Sequence, residues 1–121
     1  MLANKILVPI GFSEQSICAL GQALNLAKIK KSDVVVLSVV KEQSVMQALF
    51  SEDKSDELKQ KVKDRLNSIA IEHSSKYGVN IDVMVAKGKI YEQINQVSEM
   101  ISADLIVMGT NGSQGSTSKI I

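Results

Sequence analysis

The chain has no tryptophan, two tyrosines and two phenylalanines in 121 residues, which disfavours a surface that stacks single-stranded bases on a row of aromatic rings. An excess of either charge is missing as well. Fourteen Lys and Arg stand against 13 Asp and Glu, so no broad field draws nucleic acid or an anionic membrane, and any anion site has to be local. The single cysteine, Cys18, has no internal disulfide partner, and with one histidine, His73, it falls short of the ligand set of a zinc site. Long apolar runs are absent too: the stretch from Ile6 to Ile10 stops at Gly11, too short for a signal segment or a membrane span. A soluble, cytoplasmic protein is the expectation.

What is present has the composition of an ordinary globular domain with one core, 45% hydrophobic and 22% charged. Ile6-Leu7-Val8-Pro9-Ile10 is a continuous apolar run, the pattern of a strand buried on both faces of a parallel sheet. Ser13 then offers an N-cap to a helix whose apolar face carries Ile17, Leu20, Leu24 and Ala27, closed by Lys28, Lys30 and Lys31 at the negative end of its dipole. Val34 to Val40 is a second buried strand. Between Lys41 and Lys54 the pattern weakens, although Val45, Met46, Leu49 and Phe50 suit a short amphipathic turn or lid. Leu58, Val62, Leu66 and Ile69 define a long surface helix that Tyr77-Gly78 ends. A third strand over Ile81 to Ala86, a turn at Gly88, a helix marked by Ile90, Ile94, Val97 and Ile101, and a fourth strand at Leu105-Ile106-Val107 complete the order. Strands alternating with helices predict an α/β fold, an open, doubly wound parallel sheet with helices on both faces.

In such a sheet ligands sit beyond the carboxyl ends of the strands where the winding reverses. With strand order 3-2-1-4 that crevice is framed by Gly11-Phe12-Ser13 and by the loop from Gly109 through Thr110, Asn111, Gly112, Ser113, Gln114 and Gly115 to Ser116. Glycines there allow close backbone approach and an anion nest, and Thr110, Ser113, Ser116 and Thr117 add hydroxyl donors. The spacing is neither the Rossmann fingerprint nor a Walker A loop, and a glycine- and serine-rich stretch of this kind also suits a mere flexible loop.

Family resemblance adds to this. Lys5-Ile6-Leu7-Val8-Pro9-Ile10-Gly11-Phe12-Ser13-Glu14, the strand Val36 to Val40, Gly88, and Ala103-Asp104-Leu105-Ile106-Val107-Met108-Gly109-Thr110-Asn111-Gly112 together resemble the universal stress proteins over essentially all 121 residues. The resemblance implies a stress-response regulator with an ATP or AMP site, Mg accompanying only ATP. It places the adenine near Pro9 and Val39, with Gly11, Phe12, Met108, Gly109, Thr110, Asn111, Gly112, Gly115 and Ser116 around the remainder. Gly109 and Gly112 match the first half of the family's phosphate motif, while its second half, counted onward, falls past Ile121. The family's fifth strand, which helps form dimers, is expected in a further segment, or its edge in contact with a homodimer or tandem-domain neighbour.

One departure weighs against nucleotide: the aspartate that nucleotide-bound members commonly carry after the first strand is Gly11 here. Losing one hydrogen-bonding partner costs about 1 to 3 kcal/mol. Gly11 either admits a shifted ligand or serves the turn alone, the structural role being the favoured one because glycine is common after a strand. A nucleotide-binding regulator and a nucleotide-free interaction module therefore both remain, whereas catalysis lacks a convergent lysine, carboxylate pair or metal cluster. His73 reads as structural, Cys18 as a partly buried packing residue, and Met46 and Met100 as core or lid packing.

Overall fold

Each continuous apolar run becomes a strand, and each stripe of apolar residues three and four apart becomes a helix. The computed structural model describes residues 4–41 and 55–109. In chain order these form β1 (Lys5–Pro9), α1 (Glu14–Lys30), β2 (Asp33–Val40), α2 (Ser55–Tyr77), β3 (Ile81–Lys87), α3 (Ile90–Met100) and β4 (Leu105–Ile106). The four strands pair in parallel in the order β3-β2-β1-β4. Ile6 is the hinge of the register, lying opposite Val34 on one side and Leu105 on the other. The expected turn or lid over Val45 to Phe50, Met46 included, lies outside the described residues.

The central strands are apolar throughout because helices cover both faces. Ile6, Val8, Val34 and Val36 point to α1 and α2, where Leu20, Ala23, Leu24 and Leu66 complete the larger core. Leu7, Val35 and Leu37 point the other way, to Ile94 and Val97 of α3. Both central strands are thus sealed from water, the arrangement that a parallel sheet with crossover helices requires.

Local chemistry fixes the helix ends. At the start of α1 the Ser13 hydroxyl accepts the Ser16 N–H at 3.2 Å, and the Ser16 hydroxyl donates back to the Ser13 carbonyl at 2.9 Å. At its end Lys31 adopts a left-handed conformation and its N–H donates to the Ala27 carbonyl. The basic residues of the last turn, Lys28 and Lys30, face the partial negative charge there.

Pro9 decides where the sheet opens. Backbone groups of β1 alternate between neighbours: Ile10 donates to Leu37 of β2, while the Leu7 carbonyl accepts from Val107 on the β4 side. Pro9 has the parity of Leu7, so the N–H it lacks is one that would have faced β4. The β1–β4 pairing accordingly covers only Ile6–Leu105 and Leu7–Ile106. Asp104 anchors the other end of this short pairing, its carboxylate accepting the Lys5 N–H at 3.1 Å and its own N–H donating to the Lys5 carbonyl. Past Pro9 the two chains are free to diverge.

Candidate functional site

Beyond the carboxyl ends of β1 and β2 lies a cleft of about 360 Å³, within the range of small-molecule sites. Ile10, Gly11 and Phe12 form one wall. The end of β2, from Ser38 through Val39 and Val40 to Lys41, forms the second, and Leu58 and Val62 of α2 form the third. The cleft exists because α2 converges on the sheet only gradually. Its apolar stripe runs from Leu58, 49% exposed, through half-buried Val62 to Leu66, 0% exposed, so the first turns stand off from the strands.

The floor is rigid. The Ser38 hydroxyl, itself buried, donates to the Ile10 carbonyl at 2.7 Å, and Ile10 donates to the Leu37 carbonyl at 2.7 Å, which locks the exit of β1 to β2. Immediately after this lock Phe12 takes φ 62°, a left-handed conformation uncommon for an aromatic residue. Such a conformation costs on the order of 1 to 3 kcal/mol and persists only where surrounding contacts impose it. Here the core imposes it, since the Phe12 ring packs against the larger cluster; the Arg65 guanidinium lies over the ring, 4.4 Å from its centre.

Gly11, by contrast, needs none of glycine's freedom. Its φ is not positive, and a Cβ added there would meet nothing within 4 Å. The sequence reading allowed Gly11 a role in the turn; the turn is made by Phe12 instead. Gly109 is the opposite case. A Cβ at Gly109 would overlap the backbone carbonyl of Gln15 in the first turn of α1. That contact brings the exit of β4 against the start of α1, two residues from Ser13 on the β1 side.

The structure therefore distributes the residues singled out from sequence. Gly11, Phe12 and Val39 line the cleft, and Pro9 is buried at the end of β1. Met108 and the Val39 side chain each pack against the smaller core on the α3 side of the sheet, and Gly109 is held by Gln15. Thr110, Asn111, Gly112, Gly115 and Ser116 lie outside the described residues. Sequence reasoning missed Ser38, Lys41, Leu58, Val62 and Arg65. The apolar period of α2 was visible, but that its first turns face a cleft rather than the core was not.

Three other expectations meet the structure differently. Cys18 is exposed rather than partly buried, because it follows Ile17 on the outward side of α1. Met100 is 65% exposed rather than core or lid, since α3 buries Ile94 and Val97 and ends at Met100. His73 is structural: its Nδ1–H donates to the Ile69 carbonyl at 2.9 Å and its ring stacks on Tyr77. Among the described residues no group of three or more His, Cys, Asp or Glu could hold a metal ion, and no helix is long and apolar enough to cross a membrane.

Comparison with known proteins agrees with this architecture. A solved structure of the universal stress protein UspA from Lactobacillus plantarum matches with a TM-score of 0.75 at 20% identity, covering 96% of this chain and 85% of that one. A universal stress protein family protein from Arabidopsis thaliana, solved with AMP bound, matches with a TM-score of 0.67 at 16% identity, over 93% of this chain and 80% of that one. At these identities the likeness shows the fold. In sequence, a universal stress protein of Methanocaldococcus jannaschii is 31% identical over 118 residues, spanning 94% of this chain and 68% of that protein. The model of the universal stress protein family matches residues 3–121. Sheet order, helix placement and sequence thus converge, and the chain belongs to the universal stress protein family.

Proposed function

We propose that this chain is a cytoplasmic regulator of the universal stress protein type that binds an adenine nucleotide, AMP or ATP, with the nucleoside in the cleft beyond β1 and β2. The observation that carries the reading is the cleft itself: about 360 Å³, mainly apolar, and set at the carboxyl ends of the strands beside the point where the winding reverses. Its walls suit a flat base between Val40 and Leu58, with the end of β2 at Val39 contributing backbone and the Ser38–Ile10 lock holding the floor in place before any ligand arrives. The contact of Gly109 with Gln15 starts the glycine loop close to the β1 turn, so Thr110, Asn111, Gly112, Gly115 and Ser116 are the proposed surroundings of the phosphates. That a protein of the same fold holds AMP supports the choice of ligand. Binding would stabilise one conformation or assembly by mass action, which is a regulator's output rather than a catalyst's.

A nucleotide-free interaction module, acting as a homodimer or beside a tandem neighbour, is the second reading. Gly11 favours it, because no carboxylate faces the cleft from the end of β1.

Two measurements separate them. Under the nucleotide reading, protein purified without added ligand releases adenine nucleotide on denaturation, or its melting temperature rises in millimolar ATP with Mg²⁺. At a hundredfold excess over Kd the stabilisation is about 2.7 kcal/mol, a rise on the order of 10 °C for a domain of this size. No release together with no rise leaves only the interaction module.

A further inference from the structure

We infer that Arg65, assisted by Lys41 across the cleft, is the residue that makes this site prefer a phosphorylated adenosine over adenosine itself. The inference rests on the nucleotide reading and adds to it the source of charge selectivity. The glycine loop cannot be that source through cationic side chains, because Gly109 to Ser118 contains no lysine or arginine. The fold brings cations to the cleft from elsewhere. Lys41 lines it from the end of β2. Arg65 arrives from α2: Leu58 and Val62 line the cleft, and Arg65, three residues past Val62, lies on the same strip of the helix. Its guanidinium rests on the ring of Phe12, itself a lining residue, at 4.4 Å from the ring centre.

The chemistry of that resting place matters. Among the described residues no carboxylate pairs with Arg65, and the nearby Asp64 already accepts from Gln60 at 2.9 Å. Arg65 is exposed, so its contact with the ring is weak, and among the described residues no group takes up its five N–H donors. The planar fork matches two phosphate oxygens at once, and a phosphate engages it without displacing a carboxylate of the described residues. Phe12, fixed in its left-handed conformation, thus serves as the platform on which the guanidinium waits beside the cleft.

The test compares adenosine with AMP by calorimetric titration of the full chain and of R65Q, R65K and K41Q. Wild type is expected to bind AMP tenfold to a hundredfold more tightly than adenosine. R65Q should lose most of that ratio while keeping the adenosine affinity, which also reports that the cleft is intact. R65K should retain part of the ratio, as a point charge without the fork, and K41Q should reduce it less than R65Q. If wild type binds and R65Q keeps the ratio, the assignment of Arg65 fails while the nucleotide reading stands. A loss of both ligands in equal proportion in R65Q and R65K reduces Arg65 to a support for Phe12, and the assignment fails again. If wild type binds neither ligand, both readings go together.

Discussion

Two glycines that look equivalent in the sequence, each closing an apolar strand, have opposite physical meanings. Gly109 is glycine because the Gln15 carbonyl occupies the space of its side chain, whereas Gly11 faces open space without positive φ. Gly109→Ala is therefore expected to destabilise the fold by about 1 to 3 kcal/mol, as overpacking does. Gly11→Ala should be neutral or stabilise by up to about 1 kcal/mol through the unfolded state. Urea denaturation of the pair reads the contrast directly, and equal midpoints would contradict it. Ser32 offers a second residue-scale prediction, since its hydroxyl is buried with no hydrogen-bond partner among the described residues. Removing an unsatisfied group recovers its desolvation cost, so Ser32→Ala should raise stability by roughly 1 kcal/mol, seen as a higher denaturation midpoint.

At the scale of elements, α1 was legible almost residue by residue. Ser13 at its start, the face of Leu20, Leu24 and Ala27, and the closing lysines all appear where the spacing put them. Capping accounts for this legibility, because a hydroxyl one residue before a helix acts only on its own first turn. Ser13→Ala should cost about 1 kcal/mol, a drop of a few degrees in thermal melting, with the loss confined to the amides of the first turn of α1 in hydrogen exchange. α2 was legible only in part. Its period announced a helix, but which turns are buried depends on the angle at which it meets the sheet, and that angle is set by packing. Leu58 and Leu66 carry the same residue type in the same stripe, yet one faces the cleft and the other the core. β4 is shorter than its apolar run promised, for a reason located on another strand: Pro9 supplies no N–H where the pairing would continue.

For the molecule as a whole, α2 couples stability to the site. Leu66 is fully buried in the larger core, while Val62, one turn earlier, lines the cleft. Leu66→Ala is expected to cost about 2 to 5 kcal/mol, a large share of the roughly 6 to 18 kcal/mol typical for a chain of this length. The same substitution should loosen the α2 wall and raise the hydrogen-exchange rate around Val62 beyond what the global loss explains. Uniform acceleration across all elements would argue against such a link.

The sequence by itself determined the order of elements, the parallel sheet and the family, because apolar period, caps and turn residues act over a few neighbours and survive in any sufficiently similar chain. It also singled out the exit of β1, whose residues Gly11 and Phe12 line the cleft. Only the tertiary structure decided that the left-handed turn residue is Phe12, that Gly109 is pinned by Gln15, that Arg65 lies over the Phe12 ring and that Lys41 lines the cleft. These are contacts between segments far apart in the chain, and they follow from the angles at which helices settle on a twisted sheet, which no local pattern of residues encodes.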